Sequence, residues 1–315
     1  MNAEGFRADV LAEPASLDAM LAAYAGRELP SLDGCRVVLI GMGSSRFAAL
    51  TAASEMRERG IWAVAEHAST AAPSAAGRNV TAIAISASGR TPETVEALAR
   101  HRGLSRTIAI TNFPSRDLAG EADEVLPLHA GEEIGGVSSK TFQTSLALLQ
   151  LLAGVEADAL RRAVESQRNL LEGRGEWLEP LLAFAETARI VHLIAPAERI
   201  SSALEAALML REGPRVASDA SETGDWLHVD VYLTKHPGYR ALLFAGSRHD
   251  AGVMEWMAER GGSVAAIGTP VRGATLHVPY AGAADRHVAT LGETSVVGLL
   301  AAEWWRRRLA AGAMP

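Results

Sequence analysis

Short apolar runs alternate with helix-period stretches along this chain. Runs at 36–40, 61–66, 80–85, 107–111 and 124–128 have strand length, and helical pattern fills 46–59, 92–102 and a short piece near 115–121. Residues 141–187 read as helix almost throughout, with a break near Gly173-Arg174-Gly175. A second series follows: strands at 190–194, 241–245, 264–268 and 275–278, with helices at 200–212, 251–260 and 293–308. Strands that alternate with helices and lack hairpin turns predict parallel sheets covered on both faces. The order of elements roughly repeats. The pattern therefore predicts an α/β chain of two tandem, doubly wound three-layer domains. The expected division is a first domain with a helical lead-in at 1–153, a helical connector at 154–188 and a second domain at 189–315.

Composition narrows the partners. A chain of 315 residues, 48% hydrophobic and 21% charged, has the make-up of a globular protein of about two domains. Its net charge of −7 argues against a nucleic-acid surface. The single cysteine, Cys35, excludes an internal disulfide and fits a reducing cytoplasm. Glu4, Arg7, Asp9 and Glu13 break up the N-terminal stretch, so no signal peptide is expected. No stretch approaches the roughly 20 apolar residues of a membrane span. Lys140 and Lys235 are the only lysines among many arginines. The nine histidines show no metal-ligand spacing, and no metal or cofactor is expected.

Candidate chemistry sits where strands end. The run at 80–85 stops at Ser86-Ala87-Ser88-Gly89-Arg90-Thr91, and a helix follows at once. Hydroxyls and a glycine ahead of a helix N-terminus can bind phosphate; equally, such a residue can cap an ordinary βα turn. Gly41-Met42-Gly43-Ser44-Ser45 lies in the same situation, but Arg46 stands where a dinucleotide fingerprint needs its third glycine. Glu133-Ile134-Gly135-Gly136-Val137-Ser138-Ser139-Lys140 forms a glycine-rich loop able to meet an anion or sugar hydroxyls through its N–H groups. Glu205 and Glu212 share one face of an otherwise Ala/Leu/Met helix, and a partly desolvated glutamate suits proton transfer near neutrality. His228 follows in a polar segment.

Together these segments resemble the sugar isomerase (SIS) family, in particular the isomerase half of glucosamine-6-phosphate synthase and its stand-alone relatives: phosphosugar isomerases, deaminases and deglycases. The family's Gly-Thr-Ser is similar to Gly43-Ser44-Ser45, and its Ser-Gln-Ser-Gly-Glu-Thr to 86–91. Its Glu-Ile-Gly-Val-Ala-Ser-Thr-Lys is similar to 133–140, and its Ala-Leu-Glu-Gly-Ala-Leu-Lys-Leu-Lys-Glu to 203–212. Ala12-Glu13-Pro14 also looks like the family's Glu-Gln-Pro lead-in.

The resemblance implies that Ser45, Ser86, Ser88, Gly89 and Thr91 hold a sugar phosphate and that Ser44, Gly136, Val137 and Ser138 meet the sugar. Glu212 would move a proton between C1 and C2, and His228 would assist ring opening in the active site of a partner subunit, which implies a homodimer. The implied enzyme is an isomerase, deaminase or deglycase of a sugar 6-phosphate bearing an amino group or amine adduct, with neither nucleic acid nor membrane as partner. Three departures stand out. Met209 replaces a family lysine, Arg90 replaces a glutamate, and the family's C-terminal lysine-bearing tail has no counterpart here. Loops at 195–197 and 246–248 lack the phosphate pattern, so one phosphate site per chain is expected. The alternative is a non-catalytic sugar-phosphate-binding regulator, although the segment ahead of Arg36 is too short for a helix-turn-helix domain.

Overall fold

The computed structural model describes residues 1–313. The chain forms two compact units, each assembled from separated segments: Ala15–Glu132 with Lys140–Asp158, and Met1–Pro14 with Glu133–Ser139 and Ala159–Pro315.

Helices α1 (Ala3–Leu11) and α2 (Glu13–Ala23) precede the first strand. The Asn2 side chain opens α1 by accepting the Gly5 N–H at 2.5 Å, an N-cap that satisfies one of the helix's free donors. The first sheet follows: β1 (Arg36–Gly41), α3 (Ser44–Glu58), β2 (Trp62–His67), β3 (Val80–Ile85), α4 (Pro92–Ala99), β4 (Arg106–Thr111) and β5 (Glu124–Pro127), then α5 (Lys140–Leu152). All strands are parallel, in the order β2-β1-β3-β4-β5. The central β3 is buried along its whole length, which is why it reads as a continuous apolar run without alternation. Val38, Ile40, Ala82, Ala84, Leu98, Ala109 and Leu118 pack one face of this sheet.

The second sheet is built from β6 (Val191–Ala195), β7 (Ser218–Glu222), β8 (Arg240–Phe244), β9 (Ser263–Ile267) and β10 (Leu276–Val278). It too is parallel, in the order β10-β9-β8-β6-β7. Around it lie α6 (Ala157–Glu172), α7 (Leu178–Ala185), α8 (Ile200–Glu212), α9 (Thr223–Trp226), α10 (Asp250–Arg260) and α11 (Arg286–Ala310). Phe6, Val10, Leu181, Leu193, Met209, Phe244, Trp304 and Trp305 share one core with Val137. The expected fold of two parallel α/β sheets with flanking helices is the observed one.

Two elements depart from the pattern reading. Strand β7, Ser-Asp-Ala-Ser-Glu, carries no apolar run because it is a partly exposed edge strand beside β6. Helix α11 begins at Arg286 rather than 293. Asp285 caps it by accepting the His287 N–H, and the helix is buried from Val288 onward.

Candidate functional site

In the first sheet the chain leaves β1 toward β2 on one side and reaches β3 on the other. That reversal opens a crevice at the carboxyl ends of β1 and β3, where open α/β sheets take their ligands. Both hydroxyl turns border it. Gly43 adopts φ 50° and ψ −128°, a conformation open to glycine, and the chain turns there directly into α3 at Ser44 and Ser45.

The 86–91 turn is organised by its own hydroxyls. Ser86, only 3% exposed, places its Oγ 3.0 Å from Thr91 Oγ1 and 3.4 Å from Ser88 Oγ. Gly89 N–H donates to Ser86 Oγ at 3.2 Å, and Arg90 N–H to Ser88 Oγ at 3.2 Å. Gly89 sits at φ 65°, and a Cβ there would meet Thr111 Oγ1 at 2.9 Å. Thr91 occupies the N-cap position of α4 yet makes no side-chain cap bond. Its hydroxyl instead faces Ser86, so the sequence alternative of a simple cap is not what forms. Pro92 at the first helical position needs no partner for a missing N–H, and the helix's remaining free donors and positive end point at the turn.

Arg116 braces this turn, and the sequence reading missed it. Its Nη1 donates to Ser88 O at 2.9 Å, and its guanidinium lies 3.5 Å from the Phe113 ring centroid. It comes from the loop after β4, far along the chain from Ser88, and no spacing rule links the two. Arg90 is exposed.

The remaining candidates belong to the other unit. Gly136 is exposed at φ 74°, and Ser138 is half-buried. Val137 is buried with Phe6 and Val10, so only its backbone could meet a sugar. Glu212 ends α8 and is half-buried. Burial raises its pKa above the ordinary carboxylate value, opposed by Arg215 and Arg211. Glu205, one face-repeat earlier, is fully buried, as is Met209. His228 is exposed just beyond α9, its N–H donating to Asp225 O at 3.0 Å. No hydrogen bond or ion pair joins it to Glu212 among the described residues.

The second sheet has its own reversal, between β6 and β8. There the crevice holds a buried ion pair. Arg199 Nη2 lies 2.9 Å from Glu293 Oε1 and donates to Ala245 O at 2.7 Å. Among the described residues no cluster of His, Cys, Asp and Glu could hold a metal, and no helix is long and apolar enough to cross a membrane.

Residues 33–154, the stretch that carries both hydroxyl turns, match the SIS domain family. Curated relatives include the isomerizing glutamine–fructose-6-phosphate aminotransferase of Aeropyrum pernix, 30% identical over 232 residues, 67% of this chain and 37% of that protein. The Bradyrhizobium diazoefficiens enzyme of the same name is 34% identical over 168 residues, 48% of this chain and 28% of that protein. The chain thus spans little more than a third of the length of these relatives, or less. In fold, the C-terminal domain of glucosamine-fructose-6-phosphate aminotransferase from Francisella tularensis superposes with a TM-score of 0.81 at 16% identity, covering 96% of this chain and 95% of that one. The glucosamine-6-phosphate deaminase of Thermotoga maritima gives 0.72 at 19% identity over 95% of each chain.

Proposed function

We propose that this protein binds a sugar 6-phosphate and acts on it as an aldose–ketose isomerase, deaminase or deglycase, the substrate carrying an amino group or amine adduct. The observation that carries the reading is the 86–91 turn. Its three hydroxyls converge ahead of a helix whose N-cap threonine is not spent on capping. A phosphate accepts from Ser86, Ser88 and Thr91 and from free N–H groups, with Ser45 across the crevice. Gly89 gives it room and Ser44 borders the sugar.

The chemistry is assigned to Glu212 and His228. Glu212, with its raised pKa, is the base that removes the proton from the carbon beside the carbonyl. The electrons pass to the carbonyl oxygen as an enediol or enolamine, and the proton returns to the neighbouring carbon. Gly136, the Val137 backbone and Ser138 meet the sugar chain. His228, exposed as a residue serving a second subunit must be, assists ring opening in the partner of a homodimer. The proposed setting is the cytoplasm, and no step calls for a metal or cofactor.

The test is a panel of 6-phosphosugars with and without amino groups, read for binding and turnover. Turnover lost in Glu212→Gln with binding retained supports the enzyme. Binding without turnover, unchanged by Glu212→Gln, assigns the chain to sugar-phosphate sensing instead, a reading that the buried Met209 in place of a lysine favours.

A further inference from the structure

The glycine-rich loop Glu133–Ser139 is costly to order, because Gly135 and Gly136 carry the largest conformational entropy of any residue. The N-terminal helices hold it. Gly135 N–H donates to Asp9 Oδ2 at 2.6 Å, and Gly135 O accepts from Asn2 N–H at 3.1 Å. A Cβ on Gly135 would lie 2.2 Å from Phe6 N, so the backbone of α1 occupies the space a side chain would need. Ser139 Oγ donates to Glu13 Oε1 at 2.6 Å, and Ser139 N–H to Glu133 Oε1 at 3.0 Å. The other oxygen of Glu13 lies 2.5 Å from Ser295 Oγ on α11 and 3.1 Å from Gln167 Nε2 on α6. One carboxyl, 0% exposed, therefore ties the loop to two core helices.

We propose that Asp9 and Glu13 are positioning residues for the sugar-contacting loop, fixing it in the register that leaves Gly136 and Ser138 accessible. The proposal deepens the phosphosugar reading above and rests on it for the word sugar, though not for the tether itself.

Glu13 does this as a neutral acid. Burial raises its pKa to about 8, against the opposing bonds from Ser139 and Ser295, and the nearby carboxylates Glu133 and Asp9 raise it further. Helices α6 and α11 face it with the neutral Gln167 and Ser295. Ser295 Oγ donates to Glu13 Oε2 at 2.5 Å, and Gln167 Nε2 donates to Ser295 Oγ at 2.8 Å.

Hydrogen exchange on the full chain without any sugar tests the tether. In Glu13→Ala, amides of 133–139 should exchange roughly ten-fold faster, the factor for one lost buried hydrogen bond, while those of β6 and β8 stay unchanged. Glu13→Gln, which keeps a neutral donor and acceptor, should return the loop to near wild-type exchange. Should Glu13→Ala fail to fold, Asp9→Asn, which weakens the bond to Gly135, gives the same readout. The sugar arm uses glucosamine 6-phosphate and inorganic phosphate as probes. The tether variants should weaken the first and leave the second unaffected. Loop exchange unchanged in both Glu13→Ala and Asp9→Asn, or faster exchange spread evenly over β6 and β8, overturns the proposal. A wild type that binds neither probe sinks the phosphosugar reading, and the exchange result still decides the tether.

Discussion

Replacing Glu13 with glutamine should flatten the dependence of stability on pH. In the folded protein burial holds the Glu13 proton up to about pH 8, against an ordinary value of 4.5. Between those values the folded state binds a proton that the unfolded state has released. The stabilisation is therefore full below about pH 4.5, declines as pH rises, and is gone above about pH 8. The slope is about 1.4 kcal/mol per pH unit, so raising pH from about 5 to 7.5 should cost the wild type roughly 3 kcal/mol. With about 2 °C lost per kcal/mol in a long chain, that is about 6 °C of Tm. Burial also raises the pKa of Glu212, Asp250 and Glu293, which adds slope of the same sign. Those groups are present in both proteins and cancel in the difference. The assay is thermal unfolding of wild type and Glu13→Gln side by side at several pH values. Tm curves that stay parallel from pH 5 to 8 would refute a protonated Glu13 and leave a carboxylate held by its three donors.

Ser86→Ala removes the hydroxyl on which Thr91, Ser88 and Gly89 converge; titration calorimetry should find glucosamine 6-phosphate bound roughly ten-fold more weakly, and unaltered affinity would remove the phosphate assignment. Glu212→Gln should lower kcat by about 10²–10⁴ with little change in KM, as for loss of a general base; a change confined to KM would make Glu212 a binding group. Arg199→Met leaves Glu293 as an unpaired buried charge and should cost about 3–5 kcal/mol in urea unfolding, most of it regained by adding Glu293→Leu. Additive losses in the double variant would mean the two side chains are not coupled.

The turns at 41–45 and 86–91 were legible because local chemistry makes them. Buried central strands are continuously apolar, and the glycines and hydroxyls that end them are consecutive in sequence. What escaped was whatever depends on partners far apart in the chain. The Ser139–Glu13 bond spans 126 residues and the Arg199–Glu293 pair spans 94, so nothing local signals either. Arg116 looks like any loop arginine until β4 is set beside β3. Strand β7 was hidden for another reason: an edge strand with exposed faces needs no apolar side chains. The Ala12-Glu13-Pro14 likeness marked a meaningful place, but its role is visible only with the loop beside it.

The interleaving of the two units has a consequence for biosynthesis. Residues 1–14 and 133–139 belong to the unit whose remaining residues begin at Ala159. Segments translated early thus wait for partners translated much later, since Ser295 and the core tryptophans Trp304 and Trp305 all lie on α11. The first sheet, from β1 to β5, has all its strands available long before that. Folding during translation should therefore yield a formed first sheet trailing an unanchored N-terminal arm and an open glycine loop. By this order of events the loop is among the last parts of the molecule to be fixed, and a chain interrupted before α11 would retain its hydroxyl turns without a seated loop.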